Sequence, residues 1–324
     1  MRAGRWWWLG GFVLGAIGLG LAIGAVPLPA RGLWRGLTDP GAPEAVIVRA
    51  LRLPRVLLGF LVGGSLAVCG AVLQAVVRNP LADPYLLGLS AGGALGAVAA
   101  IAAGVQATWA VPLAAFLGAL ATLALVYRVS LIDGRRLDSH ILLLAGVVVS
   151  AFAMALVGAA LSLSSAARLQ NAFLWMLGGL WTASWTSVAV LAMYGLPPLA
   201  LLMVQARALD LMALGEDNAR HLGVDPERVK RVALLATGLL TAVAVASCGL
   251  IGFVGLIVPH AVRRLFGTSH LTLLPASFLL GGGLLVLADA LARRVATPLE
   301  LPVGVVTALL GVPLFALLLR RSLA

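Results

Sequence analysis

Residues 51–93 read LRLPRVLLGFLVGGSLAVCGAVLQAVVRNPLADPYLLGLSAGG. Between Val56 and Val77 there is no charged side chain, and a helix of roughly 20 mostly apolar residues is what crosses the hydrocarbon core of a bilayer. The run stops at Arg78-Asn79-Pro80, and Asp83-Pro84 precedes a second apolar run from Tyr85 to Ala103. Proline removes a backbone donor and kinks or ends a helix. The stretch therefore predicts a membrane span, a break at Asn79, Pro80 and Pro84, and a second span.

The same grammar recurs outward in both directions. Further apolar segments run Trp6–Val26, Trp109–Tyr127, Ile141–Leu161, Ala189–Val204, Val232–Leu250, Phe253–Val262, Leu271–Leu291 and Val303–Leu319. The segment from Phe253 is short and glycine-broken, with Pro259 predicting a second helix break. Of the 324 residues 61% are hydrophobic and only 11% charged, against about 25% charged in soluble globular domains. The expectation is an all-α polytopic membrane protein of about ten transmembrane helices, forming one domain over residues 1–324 with no room for a sizeable soluble unit. The basic start before Trp6 resembles a signal peptide, but the apolar run behind it is too long, so it reads as an uncleaved first span.

Sliding the sequence by 179 positions lays Cys69-Gly70 on Cys248-Gly249, Pro80 on Pro259, Gly88 on Gly267 and Ser90 on Ser269. An odd number of spans between the copies would turn the second upside down. The reading is two inverted five-helix repeats, approximately residues 50–150 and 229–324, an arrangement common among transporters.

With both termini placed in the cytoplasm, Arg2, Arg5, Arg78, Arg128, Arg135, Arg136, Arg207, Arg220, Arg228, Lys230, Arg231, Arg263, Arg264, Arg320 and Arg321 fall inside, as positive-inside anchoring expects. Arg31, Arg35, Arg49, Arg52, Arg55, Arg168, Arg293 and Arg294 fall outside and break the rule. The net charge of +11 is spread over many short loops, which argues for membrane anchoring rather than nucleic-acid binding. Cys69 and Cys248 lie in apolar runs and read as packing residues. No Cys/His metal spacing occurs, so no metal site and no bound cofactor are expected.

Energy coupling must come from elsewhere. The chain has no G-x-x-x-x-G-K-[ST] loop, and its only lysine, Lys230, follows no glycine loop, so there is no P-loop for ATP. Candidate intramembrane ionisable residues are few. Asp289 reads as an i,i+4 partner of Arg293, Glu300 as structural, and His140, His221 and His260 as solvated or capped. Paired carboxylates of the kind a membrane-embedded enzyme needs do not stand out. What does stand out is GEDNARHLGVDPERVKR, Gly215–Arg231, with four acids and four bases. Its pattern predicts a short helix from Asp210 to Leu222, a stop at Gly223, and a second turn opened by Asp225 as N-cap with Pro226 behind it. An apolar stripe of Leu211, Leu214 and Leu222 amid the charge suits docking into a groove of another protein.

These residues resemble the permease subunits of ATP-binding-cassette importers for vitamin B12, iron-siderophores and haem. The resemblance runs over essentially the whole chain, on residues 51–93 and on ALGEDNARHLGV, GLIGFVGLIVPHAVRRLFG and ELPVGVVTALLGVPLF. It implies a homodimer in the bacterial inner membrane, two copies of a separate ATPase that carry the ATP and Mg, and a periplasmic substrate-binding protein. It further implies that the cytoplasmic loop 206–231 forms coupling helices, with Leu214, Gly215, Glu216, Asn218, Ala219, Arg220, Leu222 and Gly223 meeting the ATPase. Arg52 and Arg293 would face the periplasm and dock the binding protein, with Arg55 and Arg294 beside them. Asp138 and Ser139 match a cytoplasmic gate at the start of the fifth span, where Asp138 places a charge that the family pattern does not have. The chain would be a transport subunit and not an enzyme. Haem is the narrowly favoured cargo, from LLRRSLA at the C-terminus and RNPLADPYLLGLSAGG. Ferric siderophore and cobalamin are the alternatives, and an ion-coupled secondary transporter is the rival from a different class.

Overall fold

The computed structural model describes residues 2–24, 26, 28–132, 136–296 and 299–322, with side chains described from residue 4 to residue 316 of that set. Arg135 and the side chains of Arg2, Arg320 and Arg321, all assigned above to the inner side, lie outside it.

The described chain is almost wholly helical. Its N-terminal half holds α1 (Arg2–Ala22), α2 (Ala30–Thr38), α3 (Pro43–Val76), α4 (Leu89–Ala102), α5 (Ala110–Val129), α6 (Ser139–Ser162) and α7 (Ala166–Met176). Then follow α8 (Trp185–Val204), α9 (Ala206–Ala213), α10 (Glu216–His221), α11 (Pro226–Cys248), α12 (Val254–Phe266), α13 (His270–Val295) and α14 (Val303–Ser322). One small exception departs from the all-helical expectation. Leu131–Ile132 (β1) and Arg136–Leu137 (β2) pair antiparallel between α5 and α6. Helices α3, α5, α6, α8, α11 and α13 are long and apolar enough to cross a membrane. The other four apolar segments lie on the N-terminal α1, on the shorter α4 and α12, and on α14.

The core is built around α3, whose residues from Val62 to Val76 are buried without interruption. It packs along α13, where Phe60 meets Phe278 edge-on with ring centroids 5.6 Å apart, and α1 lies against both, Leu21 clustering with Val56 and Val286. Helix α12 crosses α3 so closely that a Cβ on Gly70 would stand 1.8 Å from the Gly255 carbonyl oxygen. A second cluster gathers α4, α5 and α6 through Leu89, Ala119, Leu123, Val126, Leu142 and Ala145. Helix α11 joins the two by touching α3, α5 and α8.

The break after α3 forms where it was expected. Arg78 turns to φ +52, the Asn79 carboxamide oxygen accepts the Leu81 N–H at 2.9 Å, and Asp83 accepts the Tyr85 N–H at 2.9 Å. Pro84 then opens a single 3-10 turn to Leu87. The second break is not at Pro259, which lies inside an unbroken α12. It falls earlier, between Gly249 and Phe253, both at positive φ. Polar groups freed inside a membrane protein must find partners within it, and here the two breaks supply each other. The Ile251 N–H donates to the Tyr85 hydroxyl at 2.9 Å. Gln74 donates to the Ala82 carbonyl at 3.2 Å and accepts from Arg263 at 2.6 Å.

The register of 179 pairs positions only in part. Cys69 is deep within α3 whereas Cys248 is the last residue of α11, and Pro80 sits in a turn whereas Pro259 is inside a helix. Gly88 and Gly267 do correspond, both taking positive φ just before a helix begins.

Candidate functional site

The charged island forms a knob at one end of the bundle. The single helix expected from Asp210 to Leu222 is two, because Gly215 takes φ +109, a conformation that side-chain-bearing residues rarely adopt. α9 ends before it and α10 begins after it. The Asn218 side chain donates to the Leu214 carbonyl at 2.8 Å, and Gly223 at φ +82 lets the Val224 N–H close back on Ala219 at 2.9 Å. Asp225 is an N-cap as expected, accepting from Glu227 and Arg228, but the helix it opens is α11 itself. Leu209, Met212 and Ala219 are buried beneath the knob and Leu211 is partly buried. Leu214 at 60% and Leu222 at 58% stand exposed on it, flanked by the Arg220–Asp217 ion pair at 2.9 Å.

Two polar feet hold the knob. Asp210 on α9 accepts from the backbone N–H of His270 at 2.7 Å and lies 2.6 Å from that imidazole's Nδ1, which fixes α9 to the start of α13. Glu216 on α10 turns inward to Lys230, 3.1 Å away, and toward Arg78 at 3.9 Å. Lys230, only 3% exposed, also meets Glu227 at 2.8 Å and the Leu137 carbonyl at 2.8 Å. Sequence reading assigned Glu216 to an outer surface and gave Lys230 no role. The one signal available was a lone lysine spaced i,i+3 from Glu227.

Asp138 and Ser139 sit next to this cluster. Asp138 caps α6, accepting the N–H of Ile141 at 2.9 Å and of His140 at 2.8 Å. Those backbone donors, Ile141 first, hold its carboxyl below the usual carboxylate range, so the unexpected charge at this position serves the helix terminus.

At the opposite end four of the eight rule-breaking arginines meet carbonyls at or near helix C-termini, where the last carbonyls lack partners within the helix. Arg49 donates to the Gly36 and Leu37 carbonyls that end α2. Arg52 reaches Leu21 at 2.6 Å, Ala22 at 2.9 Å, and Val26. Arg293 reaches Gly20 at 2.9 Å and Ile23, so two guanidiniums clamp the end of α1. Arg168 does the same for α4 through Ala102 at 2.8 Å. Arg55 instead binds Asp289 at 2.8 Å and Glu300 at 2.8 Å, and Asp289 also holds Arg293 at 3.0 Å, the expected i,i+4 pair.

Arg52 and Arg293, 5% and 4% exposed, are not rim charges in this conformation, and Arg55 is largely covered by its two carboxylates. Of the four, Arg294 alone has an exposed side chain. Arg52→Glu with Arg293→Glu is therefore expected to unseat α1 and lower yield and thermal stability. Size-exclusion profiles of the purified double variant check this, and a profile and melting point like wild type would contradict it.

Both cysteines are buried, with sulfur contacts to backbone carbonyls: Cys69 to Thr237 at 3.6 Å, and Cys248 to Ala244 at 3.0 Å and Gly249 at 3.8 Å. Exchanging both for alanine removes little packing, about 1 kcal/mol at each site, and transport is expected to stay near wild type. Uptake lost in the exchanged protein would show that a thiol has a further role. Among the described residues no cluster of three or more His, Cys, Asp or Glu could hold a metal.

Residues 12–321 match the FecCD transport family. The cobalamin import system permease protein BtuC of Halobacterium salinarum is 44% identical over 306 residues, covering 91% of this chain and 82% of that one. The hemin transport system permease protein HmuU of Yersinia pestis is 40% identical over 305 residues, covering 93% and 90%. A solved inward-facing conformation of a metal-chelate type ABC transporter superposes with a TM-score of 0.87 at 32% identity, covering 97% of this chain and 98% of that one.

Proposed function

Since the chain belongs to the FecCD transport family, an integral-membrane permease family of ATP-binding-cassette importers, we propose that it is the permease of an importer for a metallated macrocycle. Such subunits have no ATP site of their own. In this reading two copies form the pathway, two ATPase subunits sit beneath, and a binding protein delivers cargo from the far side of a bacterial inner membrane. Ten spans in two inverted halves, with both termini cytoplasmic, complete the proposed architecture.

The observation that carries the reading is the knob. A short α9–α10 pair exposes Leu214 and Leu222 amid charge, while its inner face is pinned to the membrane helices by Asp210 and Glu216. Exposed apolar side chains on a short helical element suit insertion into a groove, and a base held by ion pairs and hydrogen bonds suits transmission of force. Asp138 and Ser139, beside the knob's ionic foot, are proposed to close the pathway on that side. At the other end Arg294 and the partly covered Arg55 are the proposed contacts for a binding protein. Carboxylates brought there would compete with Asp289 and Glu300 for Arg55.

For the cargo, relatives named for cobalamin and for haemin are similar at 44% and 40% identity, which gives haem no advantage over cobalamin. Both are large metal complexes of tetrapyrrole-type rings, and that shared chemistry is the proposed class. Uptake assays with the assembled importer, offering haemin, cyanocobalamin and a ferric siderophore in turn, test it. Preference for either macrocycle is expected; uptake of the siderophore above both would overturn the cargo class.

A further inference from the structure

We propose that Lys230 is the joint through which movement of the knob reaches the start of α6; the proposal rests on the importer reading above. A lysine ammonium has three N–H donors and no acceptor. Each of the three here has an oxygen from a different element: Glu216 on α10 at 3.1 Å, Glu227 on α11 at 2.8 Å, and the Leu137 carbonyl on β2 at 2.8 Å. Glu227 uses its second oxygen to accept the Leu137 N–H at 2.8 Å. The Leu137 peptide is thus gripped at its donor and its acceptor by one Lys–Glu pair. The next residue is Asp138, whose carboxylate opens α6.

Burial makes this arrangement more than a surface ion pair. With water excluded from Lys230, an acceptor withdrawn from it cannot be replaced cheaply, because a buried charge left short of partners is costly. A shift of α10 that carries Glu216 therefore draws Lys230 with it or breaks the set. Since Lys230 and Glu227 hold Leu137 from both sides, the cap of α6 follows. A lysine suits such a joint because it is a compact charge on a flexible stem, able to keep its contacts as the elements move, whereas an arginine fork fixes direction. The parallel contact from Glu216 to Arg78, at 3.9 Å on an exposed guanidinium, is too loose to serve. The other foot, Asp210 with His270, leads to α13 instead.

The test uses the complete importer, permease with ATPase and binding protein, in lipid vesicles. Amide hydrogen exchange is followed in the nucleotide-free and ATP-trapped states at residues 216–221 and 137–142. The wild-type complex is expected to change protection at both segments together. In Glu227→Gln, 216–221 should still respond while 137–142 does not. Hydrolysis by the partner should persist, with cargo moved per ATP falling by roughly threefold or more, the size of effect that residues along a coupling path produce. A purely structural ion pair would change stability without separating the two segments. Should Glu227→Gln fail to assemble, the wild-type exchange data decide alone. Constant protection at 137–142 between nucleotide states, or unchanged cargo per ATP in Glu227→Gln, would overturn the joint and leave the importer reading standing. A wild-type complex that hydrolyses ATP without uptake would overturn both.

Discussion

Asp289→Ala is expected to be the most damaging single side-chain truncation in the protein. Asp289 is 2% exposed and lies between two guanidiniums, Arg55 at 2.8 Å and Arg293 at 3.0 Å. Removing one partner of a buried ion pair costs about 3–5 kcal/mol, because the remaining charge keeps its desolvation penalty and loses its compensation. Here two cations would lose it, and Glu300 would remain beside Arg55. Arg293 would retain its contacts to the end of α1, but without the carboxylate that holds the guanidinium in place. Thermal unfolding in detergent should show a large drop in midpoint for Asp289→Ala and a smaller one for Asp289→Asn, which keeps the shape and two hydrogen-bonding groups. Equal, near-wild-type midpoints would mean that the cluster is solvated and contributes little to stability.

The second large effect concerns backbone contact. At Gly70 the added Cβ of any other residue would meet the Gly255 carbonyl oxygen at 1.8 Å and the carbonyl carbon at 2.5 Å. Both belong to the α12 backbone, so no rotamer change relieves the clash; the helices must part. Overpacking a tight core typically costs 1–3 kcal/mol. A branched side chain against backbone lies at the upper end, so about 3 kcal/mol is expected for Gly70→Val. The crossing it disturbs lies beside the paired breaks that Gln74 and Tyr85 hold together. Loss of monodisperse protein is the predicted readout for Gly70→Val, with Gly70→Ala intermediate. A Gly70→Val protein that purifies and melts like wild type would show that α3 and α12 have room to separate.

How much of this could be read without coordinates follows from which interactions are local. The helices are legible because apolar runs of span length admit few other structures in a membrane, and all ten apolar segments lie on helices. The break after Val77 and the Asp225 cap were also legible, since proline and Asx chemistry act within two or three residues. Pro259 misleads for the opposite reason. A proline tells of a missing donor but not of whether the helix tolerates it, and α12 does. The true second break depends on Ile251 finding Tyr85, 166 residues away in sequence. The knob was visible as a charge island, yet its inward half was not. Glu216 and Lys230 are separated by 14 positions and meet only because α10 folds back over the start of α11. Arg49, Arg52, Arg168 and, in part, Arg293 find their acceptors in backbone carbonyls, which leave no mark in a sequence.

In the importer reading, this chain moves cargo only when an ATPase grips the knob. The most direct measurement is uptake into lipid vesicles by the purified chain, with and without an ATP-binding-cassette ATPase subunit that co-purifies with it, under ATP or under an imposed ion gradient. The account predicts stoichiometric co-purification and uptake that requires both the ATPase and ATP. Uptake by the chain alone, driven by the gradient, would contradict it.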